Sequence, residues 1–134
     1  MNSFLCLFIM MEHLPKILCI PGSIRNDSSS FALIRAIPQL VKNPIEFILF
    51  DGLADLPHFD GSEPAPENVA RFRSLIAASD GVIICSPEYA FGIPGSLKNA
   101  LDWTVSSGEF DQKPVAIITA SSQGEKAHAA LLLV

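Results

Sequence analysis

Three short stretches gather the residue types that bind charged or flat small molecules. In Pro21-Gly-Ser-Ile-Arg-Asn-Asp-Ser-Ser-Ser30, Ser23, Arg25, Ser28 and Ser30 supply hydroxyl and guanidinium donors. These donors lie just where a helical pattern begins, and the macrodipole and free amides of a helix amino end favour a dianion. In Ser86-Pro-Glu-Tyr-Ala-Phe-Gly-Ile-Pro-Gly95, two prolines and two glycines bend and stiffen the backbone so that its amides are held close to a ligand. Tyr89 adds a flat side chain suited to a planar heterocycle. Ser121-Ser-Gln-Gly124 is a third turn of small residues. A phosphate and a flat ring suit the three together. Taken one at a time each has a plain reading: Arg25 as a surface cation, Glu88 as a solvated acid, and the first stretch as a polar turn.

The elements around these stretches decide whether they meet. Lys16-Ile-Leu-Cys-Ile20, Ile45-Glu-Phe-Ile-Leu-Phe50, Val82-Ile-Ile-Cys85 and Val115-Ala-Ile-Ile-Thr119 are short apolar runs bounded by turn residues, as buried parallel strands are. Between them, Leu33, Ile34, Ile37, Leu40 and Val41 recur at helical spacing from a start near Ser28. Pro38 falls inside that pattern and predicts a kink or an early end. Val69, Phe72, Leu75, Ile76 and Ser79 mark a second helix with Pro66 near its first turn. A third runs from Pro94 to about Val105, and a fourth begins at Glu125 and reaches Leu132. Asp51 to Pro66, rich in proline and glycine, is a long surface connection placed to cover part of the site. Alternating strands and helices predict an α/β fold with a parallel sheet, and the three stretches would converge on one edge if its order were 2-1-3-4. In such a sheet the three stretches follow strands one, three and four, at the carboxyl edge where open α/β sheets bind ligands.

Composition narrows the classes. A chain of 134 residues forms one domain with a real core. A net charge of -5 with no run of Lys or Arg argues against nucleic acid as a partner. Cys6, Cys19 and Cys85 lie in apolar surroundings without metal-ligand or disulfide spacing, which points to a reducing, cytoplasmic compartment. His13, His58 and His128 show no metal-ligand spacing either and read as structural or exposed. Phe4 to Met11 is apolar but too short to span a bilayer, and no basic residue precedes it. Residues 1–15 are therefore read as an extension, with Met11 as an alternative start or the segment as an extra strand or interface arm; residues 16–134 form the domain.

Gly22-Ser-Ile-Arg-Asn-Asp-Ser28 together with Pro87-Glu-Tyr-x-x-x-x-Pro-Gly-x-Leu-Lys-Asn-Ala-x-Asp-Trp103 resembles the NAD(P)H-dependent FMN reductase family, which includes chromate, quinone and azo reductases. The second motif is long and specific. Leu53-Ala-Asp-Leu-Pro57 and Ala120-Ser-Ser-Gln-Gly124 are also similar, so the resemblance covers roughly residues 16–124. It implies a flavodoxin-like three-layer α/β/α fold, here without the family's fifth strand and last helix.

The resemblance also implies roles. Ser23, Arg25 and Ser28 would hold the FMN phosphate, with Ser30 standing where the family usually has Asn. Pro87, Glu88, Tyr89 and Ala90 would line the isoalloxazine, Ala90 again replacing an Asn. Ser121, Ser122 and Gly124 would flank the ring, although a glycine pair common in the family is missing around Ala127 and His128. Hydride would pass from NAD(P)H to FMN, and a small-molecule acceptor such as a quinone, azo compound or metal ion would then take the electrons. No catalytic acid or base is required, and a homodimer or homotetramer is implied. Lys98 and Asp102 could be a simple helix-surface pair, and Trp103 simple core packing. Two other classes stay open: an electron carrier without pyridine-nucleotide activity, against which Arg25 counts, and a shortened chain that is inactive or serves as a subunit partner. In the last case strand four is left as an open edge beside bare apolar surface.

Overall fold

A computed structural model describes residues 14–134 of the chain. Cys6, His13 and the apolar run Phe4 to Met11 lie outside the described residues. Strand β1 (Lys16–Pro21) is followed by helix α1 (Ser29–Leu40), β2 (Glu46–Leu49), a 3-10 turn (Leu53–Asp55), α2 (Glu67–Ala77), β3 (Gly81–Ser86), α3 (Gly95–Asp102), β4 (Val115–Thr119) and α4 (Glu125–Leu132). The four strands form one parallel sheet in the order β2-β1-β3-β4. The predicted order and the predicted strands are both found. Each strand differs from its predicted bounds by at most one residue at either end.

Strict side-chain alternation sorts the apolar runs into two layers. Leu18, Ile20, Val82 and Ile84 face one core with Val69, Phe72 and Ile76 of α2 and Leu97, Ala100 and Leu101 of α3. Leu131 of α4 and Trp103 join the same core. Cys19 and Cys85 face the other way and pack on Ile34 of α1, with Ile83 and Ile118 partly buried beside them. One face therefore carries three helices and the other carries α1.

Pro38 sits in the last turn of α1, and the helix runs only to Leu40. Its ring removes one hydrogen bond at the end of the helix, where the cost is least, and Val41 is already extended. The segment 51–66 docks on α3. Asn99 donates through Nδ2 to Pro57 O (2.9 Å) and accepts through Oδ1 from Phe59 N (2.8 Å). Trp103 Nε1 donates to the same Pro57 carbonyl at 2.8 Å, and Phe59 packs edge-on against the indole with centroids 5.0 Å apart. Trp103 is thus both core and latch.

Candidate functional site

Strands β1, β3 and β4 are consecutive in the sheet, so the loops at their carboxyl ends are neighbours. Gly22 allows the first two to touch: a Cβ there would lie 3.0 Å from Ser86 Oγ and from Leu97 Cδ2. Gly22 N also donates to Cys85 O at 2.7 Å. The second and third loops are joined by Ala120 N donating to Ser86 O (2.8 Å). Ser29 Oγ donates to Ala120 O (3.3 Å) and links the first loop to the third. Ser29 was not among the expected site residues. It sits in a run of three serines, and its partner lies far along the chain, so no local signal sets it apart.

Within the first loop, Ser28 is the N-cap of α1, its hydroxyl accepting from Phe31 N. Ser23 is buried and accepts from Arg25 N at 3.2 Å. Arg25 is exposed and forms a two-point pair with Asp27, Nε to Oδ1 at 3.2 Å and Nη2 to Oδ2 at 3.3 Å. Hydrogen bonding from the guanidinium, then its charge, holds the Asp27 carboxyl below its ordinary range, and the pair raises Arg25 in turn. Ser30 is placed differently from the other hydroxyls. Its side chain is fully buried, without a conventional hydrogen-bond partner among the described residues, and its polar neighbour is the Cys85 thiol. It sits beneath the loop, so only its backbone N–H, in the first turn of α1, remains for an anion.

Two left-handed residues set the shape of the second loop. Ala90 (φ 48°) and Phe91 (φ 63°) sit between Tyr89 and Gly92, whose N–H and C=O groups pair in both directions at 2.9 and 3.0 Å. This is the backbone of a tight reversal that ordinarily uses Asn or Gly. With Ala90 and Phe91 in place it is strained, and Phe91 is left 80% exposed. Pro87 is buried, while Tyr89 is half exposed beside Arg25.

The third loop closes the arrangement. Ser121 and Ser122 are exposed, and with Gln123, Glu88, Ala90 and Phe91 they line a cleft of about 270 Å³. Gly124 precedes α4 and lies against Thr119, where a Cβ would come within 2.1 Å of Cγ2. His128 Nδ1 meets Thr119 Oγ1 at 3.0 Å, which gives that histidine a structural partner. Glu88 does not point to solvent: its Oε2 accepts from Lys126 N and Ala127 N, both at 2.9 Å. Lys98 and Asp102 form the helix-surface pair that their spacing suggests.

A larger groove, about 560 Å³, lies between α3, β4 and α4 and is lined by Leu101, Phe110, Ile117 and Leu131 among others. Among the described residues Asp111 is the one ionisable side chain on its walls, so they bring no convergent polar groups of a site to it despite its size. Among the described residues no group of His, Cys, Asp and Glu could hold a metal, and no helix is long and apolar enough to cross a membrane.

The chain is 34% identical over 113 residues to an NADPH azoreductase of Bacillus sp. (strain OY1-2), an alignment covering 82% of this chain and 61% of the relative. It is 32% identical over 112 residues to a quinone reductase of Escherichia coli (strain K12), covering 79% of this chain and 60% of the relative. The chain thus spans about three fifths of the length of these relatives. A solved flavoenzyme NAD(P)H:(acceptor) oxidoreductase from Paracoccus denitrificans superposes with a TM-score of 0.78 at 34% identity, over 88% of this chain and 69% of that one. The family profile described as NADPH-dependent FMN reductase matches residues 15–134, nearly all of the loops, strands and helices described above, and the chain belongs to that family.

Proposed function

We propose that the chain is the FMN-binding part of an NAD(P)H-dependent reductase of quinones, azo compounds or similar small acceptors, working in the cytoplasm as a homo-oligomer. The convergence of three cross-tied loops at the carboxyl ends of adjacent strands carries this reading. When bound, FMN supplies the redox chemistry, taking a hydride from NAD(P)H and releasing electrons to the acceptor.

The residues present fit FMN. Arg25 and the hydroxyls of Ser23 and Ser28 stand at the amino end of a 12-residue helix, whose first-turn amides suit a phosphate. Ser28 accepts from Phe31 N and keeps its own O–H to donate. Glu88 and Ala90 line the cleft with Ser121 and Ser122, and in this reading Pro87, Tyr89 and Gly124 flank the flat ring beside them. The task of the chain is to hold and orient rather than to move protons, and none of these groups need act as a general acid or base. Overall, NAD(P)H, a proton and a quinone give NAD(P)⁺ and the hydroquinone, so electrons and protons balance without a further reactant. Two buried free cysteines on the sheet support a reducing compartment.

The test is an absorbance spectrum of the purified chain after FMN is added and free flavin removed, followed by anaerobic NADPH. Retained flavin that bleaches on NADPH is the expected result. No retained flavin overturns the proposal, and retained flavin that NADPH leaves oxidised favours an electron carrier.

A further inference from the structure

Helix α4 begins without a cap of its own. Gly124 occupies the N-cap position and has no side chain to offer the first-turn amides. Nor can that position be given one, because a Cβ on Gly124 would lie 2.1 Å from Thr119 Cγ2 and 3.1 Å from its Cβ. Ser, Asp and Asn, the residues that cap helices, are sterically excluded there. The missing acceptor comes from the second loop: Glu88 Oε2 takes hydrogen bonds from Lys126 N and Ala127 N, 38 and 39 residues away. A carboxylate at this end also meets the positive pole of the helix.

We propose that Glu88 is a positioning residue, whose carboxylate caps α4 from across the cleft and thereby fixes the third loop relative to the second. The loop 121–124 is four residues long and is pinned at both ends. At its start, Ala120 is tied to Ser86 and to Ser29. At its end, α4 is held by Glu88. Ser121 and Ser122, which line the cleft with Ala90 and Phe91, therefore take their place from a group in the opposite wall. The inference rests on the reading of this cleft as the flavin site, and it assigns the Glu88 side chain to the helix rather than to the ring.

Charge and reach separate the alternatives. Glu88→Gln removes the charge but keeps an oxygen acceptor at the same distance, whereas Glu88→Asp keeps the charge and withdraws it by one methylene. Residue-resolved amide exchange on the flavin-free chain is the first readout. Lys126 and Ala127 should exchange about tenfold faster in Glu88→Asp and Glu88→Ala, with amides of β1 and β3 unchanged, and within about threefold of the parent in Glu88→Gln. FMN affinity, followed by quenching of flavin fluorescence, should fall about tenfold in the Asp variant, and the Gln variant should recover most of that loss. A carboxylate acting on the flavin by its charge gives the opposite order, with Gln the damaging change, and overturns the inference. So does unaltered exchange at residues 126 and 127 in the Asp variant, which serves where Glu88→Ala fails to fold. Exchange needs no flavin, so a parent chain that binds no FMN overturns the functional reading by itself.

Discussion

Asp27 occupies the fork of the guanidinium that the first loop presents. Both side chains are well exposed, so their pairing adds little to stability. Its effect is on occupancy, since an incoming phosphate must displace the carboxylate or share Arg25 with it. Asp27→Asn should therefore strengthen FMN binding by about threefold, while Arg25→Ala should weaken it by at least about tenfold, both read as dissociation constants by fluorescence titration. The Asp27 carboxyl is held below its ordinary range, so it stays ionised through the neutral region. The gain from Asp27→Asn should accordingly be the same at about pH 6 and pH 8, and disappear only as pH falls below the carboxylate range. The buried thiols behave in the opposite sense. Burial pushes Cys19 up to about 11 and also raises Cys85, where the Ser30 hydroxyl partly offsets it. Neither should react with a disulfide reagent at about pH 8 in the folded chain, and both should react after denaturation. Labelling of either in the native protein by mass spectrometry would contradict the packing described for β1 and β3.

Helix α3 is the element with two tasks. Leu97, Ala100 and Leu101 bury one side of it in the core, and Asn99, with Trp103 at its C-cap, binds the connection 51–66. Proline at 57 leaves that connection with a carbonyl but no N–H, and both donors on α3 converge on that carbonyl. Arg73 of α2 steadies the same corner by donating from Nε to Trp103 O at 2.8 Å and from Nη1 to Glu63 at 2.9 Å. Asn99→Ala removes two of the polar links to the connection, leaving those of Trp103 and Arg73, and should cost about 1–3 kcal/mol in chemical denaturation. The loss should come with faster proteolysis within 57–62 and little change in FMN affinity. A large loss of flavin binding with unchanged proteolysis would place Asn99 in the site instead.

Across the whole molecule, the sheet is covered unevenly. Beyond the 560 Å³ groove beside α4, a second apolar groove of about 390 Å³ runs over Ile17, Ile83 and Ala116 next to α1. Val115, on β4, which has no further strand beside it among the described residues, lines both. Leu132, Leu133 and Val134 are also strongly exposed. Apolar surface beside an unpaired strand edge drives association. The 14.5 kDa chain alone should elute above its monomer mass in a concentration-dependent way, and Val115→Lys, which places a charge on the edge, should shift it towards the monomer. A monodisperse monomer at all concentrations would contradict this.

What the sequence determined by itself was local and periodic. Continuous apolar runs between turn residues located the four strands, and Ser28 with the helical repeat from Leu33 located α1. Their alternation pointed to a parallel sheet, and the order 2-1-3-4, which the family resemblance implied, is the one found to bring residues 22–30, 86–95 and 121–124 together. The tertiary structure decided which way side chains turn, because that depends on partners far along the chain. Ser30 is drawn inward by the second core layer and sits against Cys85, although its neighbours Ser28 and Ser29 remain at the loop. The segment 51–66 lies on α3 because Asn99 and Trp103 offer it partners there. Glu88 turns to the amino end of α4, where Thr119 leaves room only for glycine at the cap, an exclusion that no spacing in the sequence records.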